Sequence, residues 1–245
     1  MAKKKTAGKV KKDNFKVPLT ELLEAGCHFG HQVRRGNPKM KPYIYAQRDK
    51  VHIFDLAITA QKLSEACEYV KELVAKGGKV CFVGTKRQAR SIIKEEAIKI
   101  GAPYVYERWL GGTITNWQQI KKSIKALVEM KEKKEQGEYK TYTKKENVLI
   151  NRKITRLERF VGGLTQLTDL PEAIFVVDIS RELTAVREAK IKGVSVIALV
   201  DTNSDPDFVD YVIPANDDAV RSIKLVVAKI AEAVELGNKL RGEKS

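Results

Sequence analysis

The chain has 245 residues, 43% of them hydrophobic, which suits one large domain or one domain with an insertion and leaves enough apolar surface for a core. Its formal net charge is +15. An ordinary enzyme seldom needs that excess; a polyanionic partner accounts for it economically, because each cation that neutralises a phosphate releases counterions, while solubility, which a smaller charge would supply, and a membrane surface also fit it. No apolar run reaches the roughly 18 residues of a membrane-spanning helix, and the start lacks the apolar segment of a secretory signal. We expect a soluble cytoplasmic protein, with no membrane partner and with Cys27, Cys67 and Cys81 as reduced core thiols.

In chain order, residues 1–16 carry seven lysines against one aspartate, too little apolar surface to fold alone, and read as a basic tail, disordered when free. From Val17 a short helix with Thr20 as its cap ends at Gly26. Pro38 and Pro42 then argue for extended chain before the strand "VHIFDL", an expectation for this stretch. Ala57–Lys76 reads as a helix with Leu63, Ala66, Cys67, Val70 and Val74 on one face.

An alternation follows: strand Lys79–Gly84, helix Lys86–Ile100, short strand Tyr104–Tyr106. After an interruption come strand "EAIFVVDI", helix Glu182–Lys192, strands "VSVIALVD" and "YVIPA", and a closing helix Asp217–Leu236. Continuous apolar strands between helices predict an α/β fold, a doubly wound, Rossmann-like parallel sheet of about five strands. The interruption, 113–164, has apolar residues at helical spacing in two runs around a polar stretch. It predicts an inserted antiparallel helical, coiled-coil hairpin. The globular domain is then 17–112 with 165–236, and 237–245 is a polar tail. From Thr113 to Phe160 thirteen Lys or Arg stand against six Glu, so the hairpin is either a solvated pair or a projecting arm for RNA or a partner protein.

"VGTKRQAR" combines a strand end, a glycine turn and a helix start carrying Lys86, Arg87 and Arg90. It has neither the P-loop nor the dinucleotide pattern of glycines. Cations in a first helical turn oppose the helix dipole unless an anion sits outside, which favours polynucleotide phosphate. "GHQVRRGNPKMKPYIYAQRDK" interleaves Arg34, Arg35, Lys39, Lys41, Arg48 and Lys50 with Tyr43 and Tyr45, a mixture suited to RNA or to a packed strand face. "ERWLGGTITNW" places Arg108 and Trp109 before a sharp turn capped by Thr113 or Thr115, with Trp109 either locking the insertion's root or stacking on a base. Lys121 and Lys122, near that root, join the RNA-facing set.

His31, Asp201 and Asp218 form a candidate site for a divalent cation, Zn or Mg, since ligands collect at the carboxyl ends of parallel strands. The same aspartates also suit turns and helix caps. No catalytic set emerges and no cofactor is required. The alternative is a nucleotide- or phosphometabolite-binding enzyme working at the sheet's carboxyl edge.

"AGCHFGHQVRRGNPKMKPYIY", "FVGTKRQAR", "RWLGGTITNW" and "ALVDTNSDPDFVDYVIPANDDAVRSI" occur in this order. Together, from about Val17 to Val234, they closely resemble the bacterial small-subunit ribosomal protein S-two family. The lysine-rich start and Cys27 depart from that pattern. The resemblance implies a Rossmann-like sheet with a protruding coiled-coil hairpin and a structural, rRNA-binding role on the small subunit, joined late in assembly. It implies small-subunit rRNA and neighbouring ribosomal proteins as partners, ribosomal protein S-one among the candidates. It implies neither catalysis nor a homo-oligomer.

Overall fold

Five parallel strands in the order β5-β4-β6-β7-β8 form the centre of the molecule: β4 (Val80–Val83), β5 (Tyr104–Val105), β6 (Ala173–Val177), β7 (Ser195–Val200) and β8 (Tyr211–Pro214). The computed structural model describes residues 15–242. The tail expected over 1–16 lies outside the described residues up to residue 14, whereas Phe15 is a core residue, 3% exposed.

Because successive strand residues point to opposite faces, the sheet has two cores. Val80, Phe82, Phe175, Val177, Ile197 and Leu199 face the side covered by α2 (Leu56–Ala75), α3 (Arg90–Ile100) and α7 (Val220–Gly242). Cys81, Val83, Ile174, Val176, Val196 and Ala198 face α4 (Trp117–Glu135), α5 (Lys144–Val161) and α6 (Leu183–Lys192). The doubly wound reading is therefore correct, with both strand faces buried as their continuous apolar runs require. Chain order reverses between β4 and β6: β4 leads outward to β5, and β6 leads the other way to β7 and β8.

Helices α4 and α5 occupy the insertion. They touch through the pair Lys131 Nζ–Glu158 Oε1, at 2.6 Å, and a Thr143–Glu146 capping box starts α5. Ile120, Ile124, Leu127, Ile154 and Val161 lie in the same core as β4, β6 and β7, so the root of the insertion is built into the globular domain. Helix α7 runs to Gly242, beyond the end expected at Leu236. It continues because Gly237 packs against α2, where an added Cβ would lie 2.7 Å from Val74 Cβ.

The N-terminal part differs from expectation. Helix α1 (Leu19–Glu24) starts at Pro18 with no side-chain cap, not at Thr20. Strands β1 (Phe29–Gln32), β2 (Ile44–Arg48) and β3 (Val51–Phe54) make a separate antiparallel sheet, order β1-β3-β2. The β2–β3 hairpin turns on Asp49 and Lys50, both at positive φ (51° and 65°), a conformation usually signalled by Asn-Gly. With neither residue a glycine, the turn was not visible in the sequence.

Candidate nucleic-acid interface

The loops at the carboxyl ends of the parallel strands carry most of the motifs. After β4 the chain turns through Lys86–Ala89 before α3 begins at Arg90, so Lys86 and Arg87 precede the helix rather than opening it. The two cations then part. Arg87 is exposed. Lys86 is buried: its Nζ lies 2.7 Å from Asp217 Oδ1, 2.7 Å from Asp218 Oδ1 and 3.3 Å from Asp178 Oδ2. Its expected role as an outward phosphate contact is corrected, because three carboxylates converging from the ends of β6 and β8 already neutralise it. Burial works against the Lys86 charge, yet Asp217 and Asp218 outweigh it and hold the ammonium above its ordinary pKa. Burial, then Asp201 and Asp178, push the Asp217 carboxyl up against the pull of Lys86.

His31 joins this cluster from β1. Its Nδ1 is 3.0 Å from Asp201 Oδ1 and its Nε2 is 3.4 Å from Asp218 Oδ2. The bond to Asp201 raises the imidazole pKa, although burial opposes it. One donor atom each from His31, Asp201 and Asp217 lies within 4.8 Å of the others. Asp217 Oδ2 is buried without a hydrogen-bond partner. The compact set thus contains the buried Asp217 where the sequence suggested the exposed Asp218.

The basic segment after β1 is tied to the end of β7. Asn37 N donates to Thr202 O at 2.7 Å and His31 N to Thr202 Oγ1 at 2.9 Å. Gly30 permits this approach, since a Cβ there would sit 2.7 Å from Thr202 Cγ2. Arg34, Arg35, Lys41, Arg48 and Lys50 are all exposed. Arg34 Nε donates to Gln32 Oε1, and Arg48 Nε lies 3.8 Å from Asp49. Lys39 is instead clamped by Asp205 and Asp207 at 2.7 and 2.6 Å.

The "RWLGGTIT" turn is held from α6 by one carboxylate. Glu188 accepts from Gly112 N (2.7 Å), Ile114 N (2.9 Å), Thr115 N (3.0 Å), Thr115 Oγ1 (3.1 Å) and Trp109 Nε1 (3.3 Å). Burial alone would raise its pKa; these N–H donors reverse that and lower it. Trp109 is consequently a buried lock, 8% exposed, and not a platform for a base. Neither Thr113 nor Thr115 caps α4; Thr113 Oγ1 donates back to Leu110 O. Arg108 is exposed, as are Lys121 and Lys122. Lys121 Nζ lies 3.9 Å from Asp169 Oδ1. Arg90 is a tie, its Nε donating to Thr85 O at 2.8 Å and its Nη1 lying 3.3 Å from Glu107 Oε1.

Sequence reasoning missed Glu188, Asp178, Arg159 and Arg181. Glu188 did leave a signal: it is a charged residue on the apolar stripe of α6, beside Ala185, Val186 and Ala189. Asp178, Arg159 and Arg181 left none. A family model described as Ribosomal protein S2 matches residues 22–237 of the chain.

Proposed function

Because the chain belongs to the ribosomal protein S2 family, structural proteins of the small ribosomal subunit that serve translation, we propose that it grips small-subunit rRNA through the loops at the carboxyl edge of its sheet. The observation that carries this reading is the set of exposed cations there. Arg87 follows β4, Arg108 follows β5, and Arg34 and Arg35 lie on the segment tied to the end of β7. Lys41, Arg48, Lys50, Lys121 and Lys122 extend the positive field. The basic α4–α5 insertion is an arm toward rRNA and neighbouring small-subunit proteins, ribosomal protein S-one among them, and contributes to late assembly in the cytoplasm. The family match gives no support to the enzyme alternative.

Sedimentation of the tagged protein through magnesium-containing gradients tests this. The protein should travel with the small subunit and leave it as salt rises. The Arg34→Glu/Arg35→Glu/Arg87→Glu variant should leave at lower salt, since each lost phosphate contact reduces the slope of log K against log salt by about 0.7 to 0.9. Release at the same salt as the parent would refute the assignment of these residues.

Asp217 Oδ2 supports a second, compatible feature, a divalent cation held by His31, Asp201 and Asp217. Three carboxylates (Asp178, Asp217, Asp218) meet the one ammonium and a fourth, Asp201, meets His31, so negative charge remains for it to meet. A mixed imidazole and carboxylate set suits zinc better than magnesium, which prefers oxygen ligands. Dialysis followed by elemental analysis should find one metal per chain in the parent and none in Asp201→Asn. Binding should release protons. Equal metal content in both proteins would rule the site out.

A further inference from the structure

A crevice of about 560 Å³ opens between the loops after β4 and β6, where the winding of the sheet reverses. In open parallel sheets this is the place where ligands bind. Four arginines from four separate elements line it: Arg90 at the start of α3, Arg108 after β5, Arg159 near the end of α5 and Arg181 after β6. Arg90 and Arg159 share one carboxylate, Glu107, at 3.3 and 2.5 Å. Glu182, 3% exposed, accepts from Thr85 N and Thr85 Oγ1. Arg108 and Arg181 have no ion pair among the described residues, and Arg181 Nε donates only to Thr85 Oγ1, at 3.0 Å. Four guanidiniums and two carboxylates thus line one space large enough for a small ligand, and only two of the guanidiniums, Arg90 and Arg159, meet a carboxylate.

We infer that this crevice is a phosphate-recognition pocket that takes one nucleotide of an unpaired RNA segment. The phosphate lies on Arg108 and Arg181 and the base lies against the half-buried ring of Phe160. Guanidinium forks match phosphate oxygens in pairs, and an aromatic face accepts any base by stacking. A duplex does not fit such a space; one flipped nucleotide does. The inference rests on the rRNA-binding reading above and gives it a specific seat. A free nucleotide offers the same phosphate chemistry, and the experiment separates the two sources.

Isothermal titration of the isolated full chain uses three probes: a short unstructured RNA oligonucleotide, adenosine monophosphate and inorganic pyrophosphate. The Arg108→Gln/Arg181→Gln variant, both positions exposed, should bind the oligonucleotide about tenfold more weakly or worse, with thermal melting unchanged. Lys192→Gln/Lys239→Gln removes the same charge at the helix ends by the opposite edge of the sheet and should change binding by less than about twofold. Phe160→Leu should weaken the oligonucleotide by about fivefold or more and leave pyrophosphate unaffected. Equal losses in the two double variants would overturn the pocket, since the arginines would then only add to the general field. If adenosine monophosphate binds as tightly as the oligonucleotide and loses affinity with it, the RNA source is overturned and the phosphate chemistry stands. Subunit docking is read separately by sedimentation, so a failed pocket and a failed ribosomal assignment are told apart.

Discussion

Thr85 and Lys86 are chain neighbours that face opposite electrostatic surroundings. Lys86 enters a cluster of four aspartates and a histidine, where one ammonium is outnumbered. Thr85 borders the crevice where four arginines outnumber two glutamates. Both regions use buried or half-buried ions at the same sheet edge, with inverse roles. In the first the cation holds the fold together and a further cation would be welcome. In the second one carboxylate holds two arginines and leaves the other two to seek an anion. A cation's presence in a loop therefore says little about its task; the number of carboxylates within reach decides.

The sharpest way to break this contrast is to remove Lys86. Lys86→Met should cost about 3 to 5 kcal/mol in urea unfolding, because it leaves several carboxylates buried together without their counter-charge. Part of the loss should be recovered at acidic pH, where the Asp217 carboxyl, already pushed up by burial, protonates. A variant as stable as the parent at neutral pH would mean that the cluster does not need its ammonium. Glu188 is the converse case, a buried anion served only by uncharged donors. Glu188→Ala strands three backbone N–H groups and should cost about 3 kcal/mol, measured the same way.

In the arginine crevice the expected effect is smaller. Glu107→Gln should cost less than about 1 kcal/mol, since the pairs it breaks are partly exposed. The bond to Arg159 holds the Glu107 pKa below 4.5, so this stabilisation is present above pH 4.5 and lost as pH falls through the folded value. A flat acid limb in the difference between parent and variant would contradict it. The smallest effect belongs to His31. Its folded pKa lies above 6.5, so its contribution is complete below pH 6.5 and lost as pH rises through the folded value. Asp217, raised from 3.8, has the same sign, its protonated form being favoured by the fold. His31→Asn should therefore flatten, without abolishing, the decline in melting temperature across neutral pH.

The sheet was legible because β4, β6 and all of β7 after Ser195 are unbroken apolar runs stopped by glycine or aspartate, a pattern with few alternatives. The helices of the insertion were legible from their apolar spacing. The small antiparallel sheet was not, since Asp49 and Lys50 adopt a turn conformation that their chemistry does not announce. At the sheet's carboxyl edge the sequence motifs fall on neighbouring loops, but which of their side chains are buried and paired could not be read from them. Lys86 meets Asp217 across 131 positions, and Trp109 meets Glu188 across 79. Pairings that distant are set by the winding of the sheet and leave no local trace.

The reversal of winding between β4 and β6 also has a consequence in time. Val80 pairs with Ala173, and everything between them must be made before the central pair of strands can form. At roughly 5 to 20 residues per second that is a wait of about 5 to 20 seconds on the synthesising ribosome. The apolar face of α2 waits longer still, because its cover, α7, is the last helix made. A nascent chain of this protein spends most of its synthesis without the helix that covers that face, with only α1 and the residues before it in place to shield α2.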